Sequence, residues 1–323
     1  MKKILAVMCA VLMLVAMTAC GTAETGKTDD GKYVIGICQL MTHDALDAAT
    51  KGFQDALIAA LGEENLTFKH QDAAGKQANC DTIVDGFVSE KVDLILANAT
   101  APLQSAATKT VDIPILGTSI TDYASALGIE NWNGTVGGNI SGTSDLAPLD
   151  QQAAMVKELF PEAKVVGLLY CSGEPNSIYQ VTEVEKHLAD LGYETKKFSF
   201  VDANDLASVT QTACDGCDVI YIPTDNTAAT YTETIANVAI PAKTPIIAGE
   251  ANTCAGCGVA TLSIDYYDLG YTTGQMAAKI LKGEEKIESM AVAYAPEVTK
   301  MYNQANCEAL GITVPEDYQP IGQ

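Results

Sequence analysis

Short apolar runs rich in β-branched residues alternate along most of the chain with longer stretches in which apolar residues recur every three or four positions. The run Tyr33 to Cys38 is followed by Leu46, Ala49, Phe53, Leu57 and Leu61 on one helical face, and Leu66 to His70 by Ile83, Val84 and Phe87. Val92 to Ala97 leads to a helical stretch from Leu103 to Val111. Ile115 to Thr118 then leads into a Gly- and Asn-rich segment that ends near Gly142. A second series comprises Val165 to Tyr170, Glu194 to Phe198, Asp218 to Ile222, Pro245 to Gly249 and Val259 to Ile264. Strands alternating with helices predict parallel sheets with right-handed crossovers, and two such series predict two doubly wound α/β lobes. The short, polar, proline-containing segment Gly142 to Asp150 is the expected first crossing between them.

In open sheets of this kind, ligands sit at the carboxyl ends of the strands, where loops and new helix N-termini present polar groups. The stretch Val165 to Ser177 has that form: a buried-strand run, then Ser172, Gly173, Glu174, Pro175 and Asn176, then a helical pattern from about Ser177. Glu174, Asn176 and Ser177 are the first ligand candidates it offers. The same residues also suit an ordinary strand-to-helix loop.

At the amino end, Lys2 and Lys3 precede an apolar stretch from Ile4 to Met17 that is too short to span a membrane and is followed by small residues. Residues 1–19 therefore read as a secretory signal peptide. Met17-Thr18-Ala19-Cys20 resembles a bacterial lipobox, which implies a lipid on Cys20, with 20–31 as a flexible tether to the extracytoplasmic face of the cell membrane. Plain signal cleavage with an incidental Cys20 is the alternative. The remaining roughly 300 residues favour two domains over one core.

Composition narrows the partners. The formal charge of −22, from 41 acidic and 19 basic residues, argues against nucleic acid. The chain contains no arginine. Any anionic group on a ligand must therefore meet backbone N–H groups, hydroxyls, amides or lysine.

Several runs carry a resemblance that covers nearly the whole chain after the tether: Ile35-Gly36-Ile37 with Gln39; His43-Asp44-Ala45-Leu46-Asp47-Ala48-Ala49; Gly142-Thr143-Ser144-Asp145; and Tyr170 to Ser177. Ile222 to Thr227, Ala248-Gly249-Glu250 and Ile264 to Gly270 continue it. The sequence resembles substrate-binding lipoproteins of ABC importers, in the family that includes tryptophan- and tyrosine-binding components. That resemblance implies two doubly wound lobes of the type I periplasmic binding protein kind, joined by a hinge and closing on a small solute. The lobes would comprise 32–143 plus 266–295 and 144–265 plus 296–323. It further implies capture of an L-amino acid with an aromatic side chain (tryptophan, tyrosine or phenylalanine) by a monomer that serves an ABC permease, needs no cofactor and catalyses nothing.

The strand-end residues give the site this function requires. In the first lobe they are Gln39, Met41 and His43, then Asn98, then Thr118, with Ser144 and Asp145 at the crossing; in the second they are Glu174, Asn176 and Ser177, then Thr224, Asp225 and Asn226, then Glu250 and Asp265. A zwitterion's carboxylate is expected near Ser177 and adjacent backbone N–H groups, with Ser144 and Thr118 as further donors. Its ammonium is expected at Asp265, with Glu174 or Asp225. Any one of these residues could equally be a helix cap or turn former. His43 is expected either to touch the ligand or to be held at its helix entry by a carboxylate.

Two features depart from the family pattern. Cys214-Asp215-Gly216-Cys217 and Cys254-Ala255-Gly256-Cys257 have the spacing of zinc or redox sites, but each precedes a strand and so lies away from the cleft. Disulfides or free thiols are expected there ahead of a metal. The loop from Gly128 to Gly142 carries the only tryptophan, Trp132, which either reaches the ligand or covers the hinge. Other functions find little support. The chain has no HExxH, GxSxG or phosphate-loop motif. Aromatics at 6% lower the case for sugar stacking.

Overall fold

The computed structural model describes residues 31–295 and 297–322. The signal peptide and Cys20 lie outside the described residues. Among those described, the strands form two sheets. The first runs β11 (Ala293–Tyr294), β5 (Ile140–Ser144), β4 (Ile115–Ile120), β3 (Leu94–Asn98), β1 (Tyr33–Gln39) and β2 (Leu66–Asp72), all parallel. The second runs β13 (Gln319–Pro320), β12 (Thr299–Tyr302), β10 (Ala260–Ser263), β9 (Ile246–Ala248), β8 (Val219–Ile222), β6 (Val165–Cys171) and β7 (Glu194–Phe200). β7, β6, β8, β9 and β10 are parallel, and β12 and β13, parallel to each other, run antiparallel to them.

Each sheet is covered on both faces, which is why β8, and β3 up to its terminal Asn98, are apolar and buried. In the first lobe, α1 (Asp44–Leu61) and α11 (Tyr266–Leu281) cover one face, packing Phe53, Leu57 and Ala277 against Ile35, Ile37, Leu94 and Leu96. Helices α2 (Gln77–Glu90) and α3 (Thr100–Lys109) cover the other, with Val84, Phe87 and Leu103 on Ile95, Ala97 and Ile115. Large side chains buried this fully contribute about 1.5–3 kcal/mol each. In the second lobe, α5 (Leu149–Leu159) and α6 (Pro175–Asp190) lie over Val219 and Tyr221. The alternate residues Ile220 and Ile222 face α7 (Ala203–Gly216) and α9 (Thr232–Ala242).

The chain passes between the sheets three times: after β5, after β10 and between β11 and β12. The expected polar crossing segment, Gly142 to Asp150, begins inside a strand, β5, that hydrophobic patterning does not reveal. Its residues Ser141, Thr143 and Ser144 are buried because each hydroxyl is satisfied: Ser141 donates to Met290 O at 3.1 Å, Thr143 pairs with Thr273 at 2.8 Å, and Ser144 donates to Thr121 O at 3.0 Å. Gly142, at φ +142°, lies so near β4 that an added Cβ would stand 2.0 Å from Gly117 O.

The crossing after β10 is held by close packing of α1 and α11. A Cβ on Gly270 would stand 1.9 Å from Ala49 O, and one on Gly274 2.5 Å from Phe53 O. Gly270→Ala is therefore expected to lower stability by about 1–3 kcal/mol, since the helix backbones must separate. Gly86→Ala, in α2 with nothing within 4 Å of the added carbon, should be neutral or stabilise by up to about 1 kcal/mol. Denaturant unfolding of the two variants measures the contrast, and equal effects would contradict this account of the α1–α11 contact.

Candidate functional site

The carboxyl ends of the two sheets face one another across a cleft. His43, Ala45 and Leu46 at the start of α1, Asp145 after β5, Thr224, Asp225, Asn226 and Ala229 after β8, Glu250 after β9 and Tyr266 after β10 line a cavity there. The void among them totals about 230 Å³, in crevices so narrow that little of it admits even a water molecule. A solute larger than a single small group therefore enters only as the lobes separate.

Three carboxylates in this lining are almost wholly buried: Asp145, Asp225 and Glu250. Asp145 accepts from the Tyr266 hydroxyl at 2.9 Å and the Thr121 hydroxyl at 3.1 Å. Burial nevertheless dominates and raises its pKa to about 6, with those two hydrogen bonds acting the other way. Asp225 caps α8 (Asn226–Thr230) by accepting from Ala228 N at 2.8 Å, and also accepts from Cys171 N at 2.7 Å. Burial, reinforced by the charge of Glu174, pushes its pKa up to about 8. Glu250 caps α10 (Ala251–Gly256), accepting from the N–H groups of Asn252 and Thr253 at 2.5 Å each and from the Thr253 hydroxyl.

Of the residues expected from sequence, His43, Asp145, Thr224, Asp225, Asn226 and Glu250 line the cavity; the others stand behind or beside it. Gln39 ties β1 to α1, donating to Asp47 at 2.6 Å and accepting from Thr50 at 2.7 Å, and Asn98 donates to Leu46 O at 2.8 Å. Thr118 and Ser144 bond within the first lobe, to Thr143 at 3.2 Å and to Thr121 O at 3.0 Å. Met41 Sδ accepts from Thr230 of the other lobe at 3.5 Å. Glu174 accepts from the backbone N–H groups of Asn226 and Thr227 at 3.0 and 2.8 Å, so its carboxylate holds the start of α8. Asn176 donates to Thr224 O at 3.2 Å, and Ser177 is fully buried beneath Asp225.

Asp265 is exposed and caps α11 by accepting from Asp268 N at 3.0 Å. It lines an adjoining, more open groove with Asp44, Ala48, Tyr267 and Met301, which shares Ala45, Glu250 and Tyr266 with the cavity. His43 is held by the Asn226 amide oxygen, 3.2 Å from Nε2, rather than by a carboxylate.

Sequence reasoning missed Tyr266, Thr121 and Gln180. Tyr266 lies one position beyond a strand-end acid and at the start of a helical pattern, where it reads as core. Gln180 binds Thr224 through both ends of its amide, at 3.0 Å each, from within α6. Trp132 stacks on Tyr123 with ring centroids 6.3 Å apart and packs on the first lobe's core. The cysteines of both CxxC pairs are free thiols at the ends of α7 and α10, and none of them is among the residues that line the cavity.

The raised acids make stability depend on pH. An acid whose pKa is higher folded than unfolded binds more protons when folded, so its stabilising contribution is full below about pH 4. That contribution is lost as pH rises through the folded values near 6 for Asp145 and 8 for Asp225. The ligand-free protein is therefore expected to melt higher at pH 5 than at pH 8, by about 2 °C or more. The difference should shrink in Asp225→Asn, and a flat profile between those pH values would contradict it.

The family model described as ABC transporter substrate binding protein matches residues 34–319. A tyrosine-binding protein of Clostridioides difficile (strain R20291) is 34% identical over 320 residues, covering 96% of this chain and 92% of that protein. A Streptococcus pneumonia ABC domain solved in complex with L-Trp is 31% identical, with a TM-score of 0.84 over 88% of this chain and 96% of that one. A ligand-free, open substrate binding protein with adhesive properties from Clostridium difficile is 33% identical, with a TM-score of 0.69 over 90% and 99%. At nearly equal identity, this chain thus superposes better on the L-Trp complex than on the open structure. Matched along nearly all of its described length by the family and by relatives of this similarity, the chain belongs to the substrate-binding proteins of ABC transporters.

Proposed function

We propose that this substrate-binding protein captures an L-amino acid with an aromatic side chain between two lobes, residues 32–144 plus 266–295 and residues 145–265 plus 296–323, the first bound set so that β5 stays whole, and presents it to an ABC permease. One observation carries the reading. Among the described residues, the cavity lining holds the buried acids Asp145 and Glu250 beside Asp225, which burial keeps protonated at neutral pH, and no lysine. Buried negative charge is costly unless it is paired, so the solute that closes the cleft brings a cation.

Asp145 is the ammonium's principal partner. It stands in the cavity, keeps lone pairs beyond those used by Tyr266 and Thr121, and is poised near pH 6, ready to ionise fully beside a cation. Asp265, exposed and engaged as a cap, does not have that position. The carboxylate has no arginine to meet it. The start of α1 suits it, because His43 makes no side-chain cap and Ala45 and Leu46 line the cavity, leaving first-turn N–H groups available there. The tyrosine- and L-Trp-binding relatives favour an aromatic side chain.

Among the described residues no helix is long and apolar enough to cross a membrane. The lobes are held at the extracytoplasmic face by a lipid on Cys20, as the lipobox-like ending and the tether support.

Calorimetry tests the ligand. L-tyrosine or L-tryptophan should bind the wild type, and Asp145→Asn should weaken binding about ten- to a hundredfold, the equivalent of a charge-assisted hydrogen bond of about 1.5–3 kcal/mol. Because Asp145 must be ionised to hold the ammonium, wild-type affinity should also fall as pH drops from 7 to 5. Binding of sugars with no response to any amino acid would contradict the proposal. For the anchor, Cys20→Ala should release the protein from membranes, and a membrane-bound fraction equal to wild type's would refute lipid attachment.

A further inference from the structure

We propose that His43 is the residue through which lobe closure reads the ligand, its Nδ1 accepting a hydrogen bond from the ligand's α-ammonium. This rests on the functional reading above and adds a specificity determinant to it. The chain of constraints starts at Glu174. Its carboxylate takes the Asn226 side-chain N–H at 2.7 Å as well as the Asn226 backbone N–H at 3.0 Å. A carboxylate can only accept, so the Asn226 amide must point its nitrogen at Glu174 and its oxygen the other way. That oxygen lies 3.2 Å from His43 Nε2 on the opposite lobe. An amide oxygen also only accepts, so Nε2 carries the hydrogen, and in the neutral imidazole Nδ1 is left with a lone pair.

Nδ1 is buried and has no hydrogen-bond partner among the described residues. It does not cap its own helix: His43 is the N-cap of α1 and makes no side-chain bond to the first turn. His43 shares the cavity with Asp145 and Glu250. An ammonium has three N–H donors. The Asp145 oxygens already accept from Thr121 and Tyr266, and those of Glu250 from Asn252 and Thr253, whereas Nδ1 accepts from nothing. An ammonium placed at Asp145 therefore finds in His43 an acceptor whose orientation the closed cleft has already fixed. A solute without that donor leaves a buried acceptor bare when the lobes meet, so closure favours amines over their des-amino counterparts.

The test is a double-mutant cycle in the full-length protein, read by calorimetry. Wild type and His43→Phe are titrated with L-tyrosine and with 3-(4-hydroxyphenyl)propionate, which lacks the amine. Losing the amine should cost the wild type roughly tenfold more affinity than it costs His43→Phe. An equal penalty in both proteins overturns the inference while leaving amino-acid capture standing. No binding of L-tyrosine or L-tryptophan by the wild type overturns the functional reading and this inference with it.

A second measurement does not depend on the variant's folding. The chain has three histidines, so ¹⁵N-histidine labelling gives few signals, and His70→Gln and His187→Gln assign the third by elimination. L-tyrosine should shift the unprotonated Nδ1 of His43 upfield, as accepting a hydrogen bond does, and the des-amino analogue should not. A proton on Nδ1, or the same response to both compounds, overturns the inference.

Discussion

The hydrogen bond from the Tyr266 hydroxyl to the buried Asp145 carboxylate organises the molecule, because it joins two places where the chain leaves a sheet. Asp145 follows β5 at the first crossing, and Tyr266 follows β10 at the second. Each is also packed by its surroundings: Asp145 N donates to Ile120 O at 3.1 Å, and Tyr266 begins the helix whose glycines Gly270 and Gly274 bring it against α1. The bond thus fixes the crossings relative to each other and relative to the start of α1. It does so at the cost of a carboxylate taken out of water, which is why Asp145 titrates near 6.

The other buried acids divide into holders and candidates for contact. Glu174 and Asp225 act together on α8: one takes the N–H groups of Asn226 and Thr227, the other that of Ala228. Burial, reinforced by the charge of Glu174, keeps Asp225 largely protonated at neutral pH, so the pair carries less negative charge than its composition suggests. Glu250 spends its oxygens on the first turn of α10. What remains unspent on the cavity wall is the residual accepting capacity of Asp145 and Glu250 and the lone pair of His43 Nδ1. A solute with a compact group rich in N–H donors matches that remainder.

Much of the architecture was legible because doubly covered strands leave a strong signal. Val166 to Leu169 and Ile115 to Gly117 are buried without a polar side chain, and the amphipathic stripe of α1 is regular. β5 was not legible, since a buried strand of Ser, Gly and Thr looks like a loop until its hydroxyl partners in other segments are known. For the site, the rule that ligands sit at strand carboxyl ends points to the cleft between the sheets, and six of the residues it picks out meet at one cavity there. It could not rank them. A strand-end Asp that caps a helix at the surface, Asp265, and one buried at a crossing, Asp145, are alike in sequence, and only burial separates them. Tyr266 escaped notice because its hydroxyl acts on a partner 121 positions away.

The central claim is that a buried, acid-lined cleft selects a solute with an α-ammonium. The most direct test is to purify the protein without refolding, denature it, and identify by mass spectrometry the small molecule released. Recovery of tyrosine, tryptophan or phenylalanine in near-stoichiometric amount is the predicted result. Recovery of a neutral sugar or of a carboxylic acid without an amine would contradict the account.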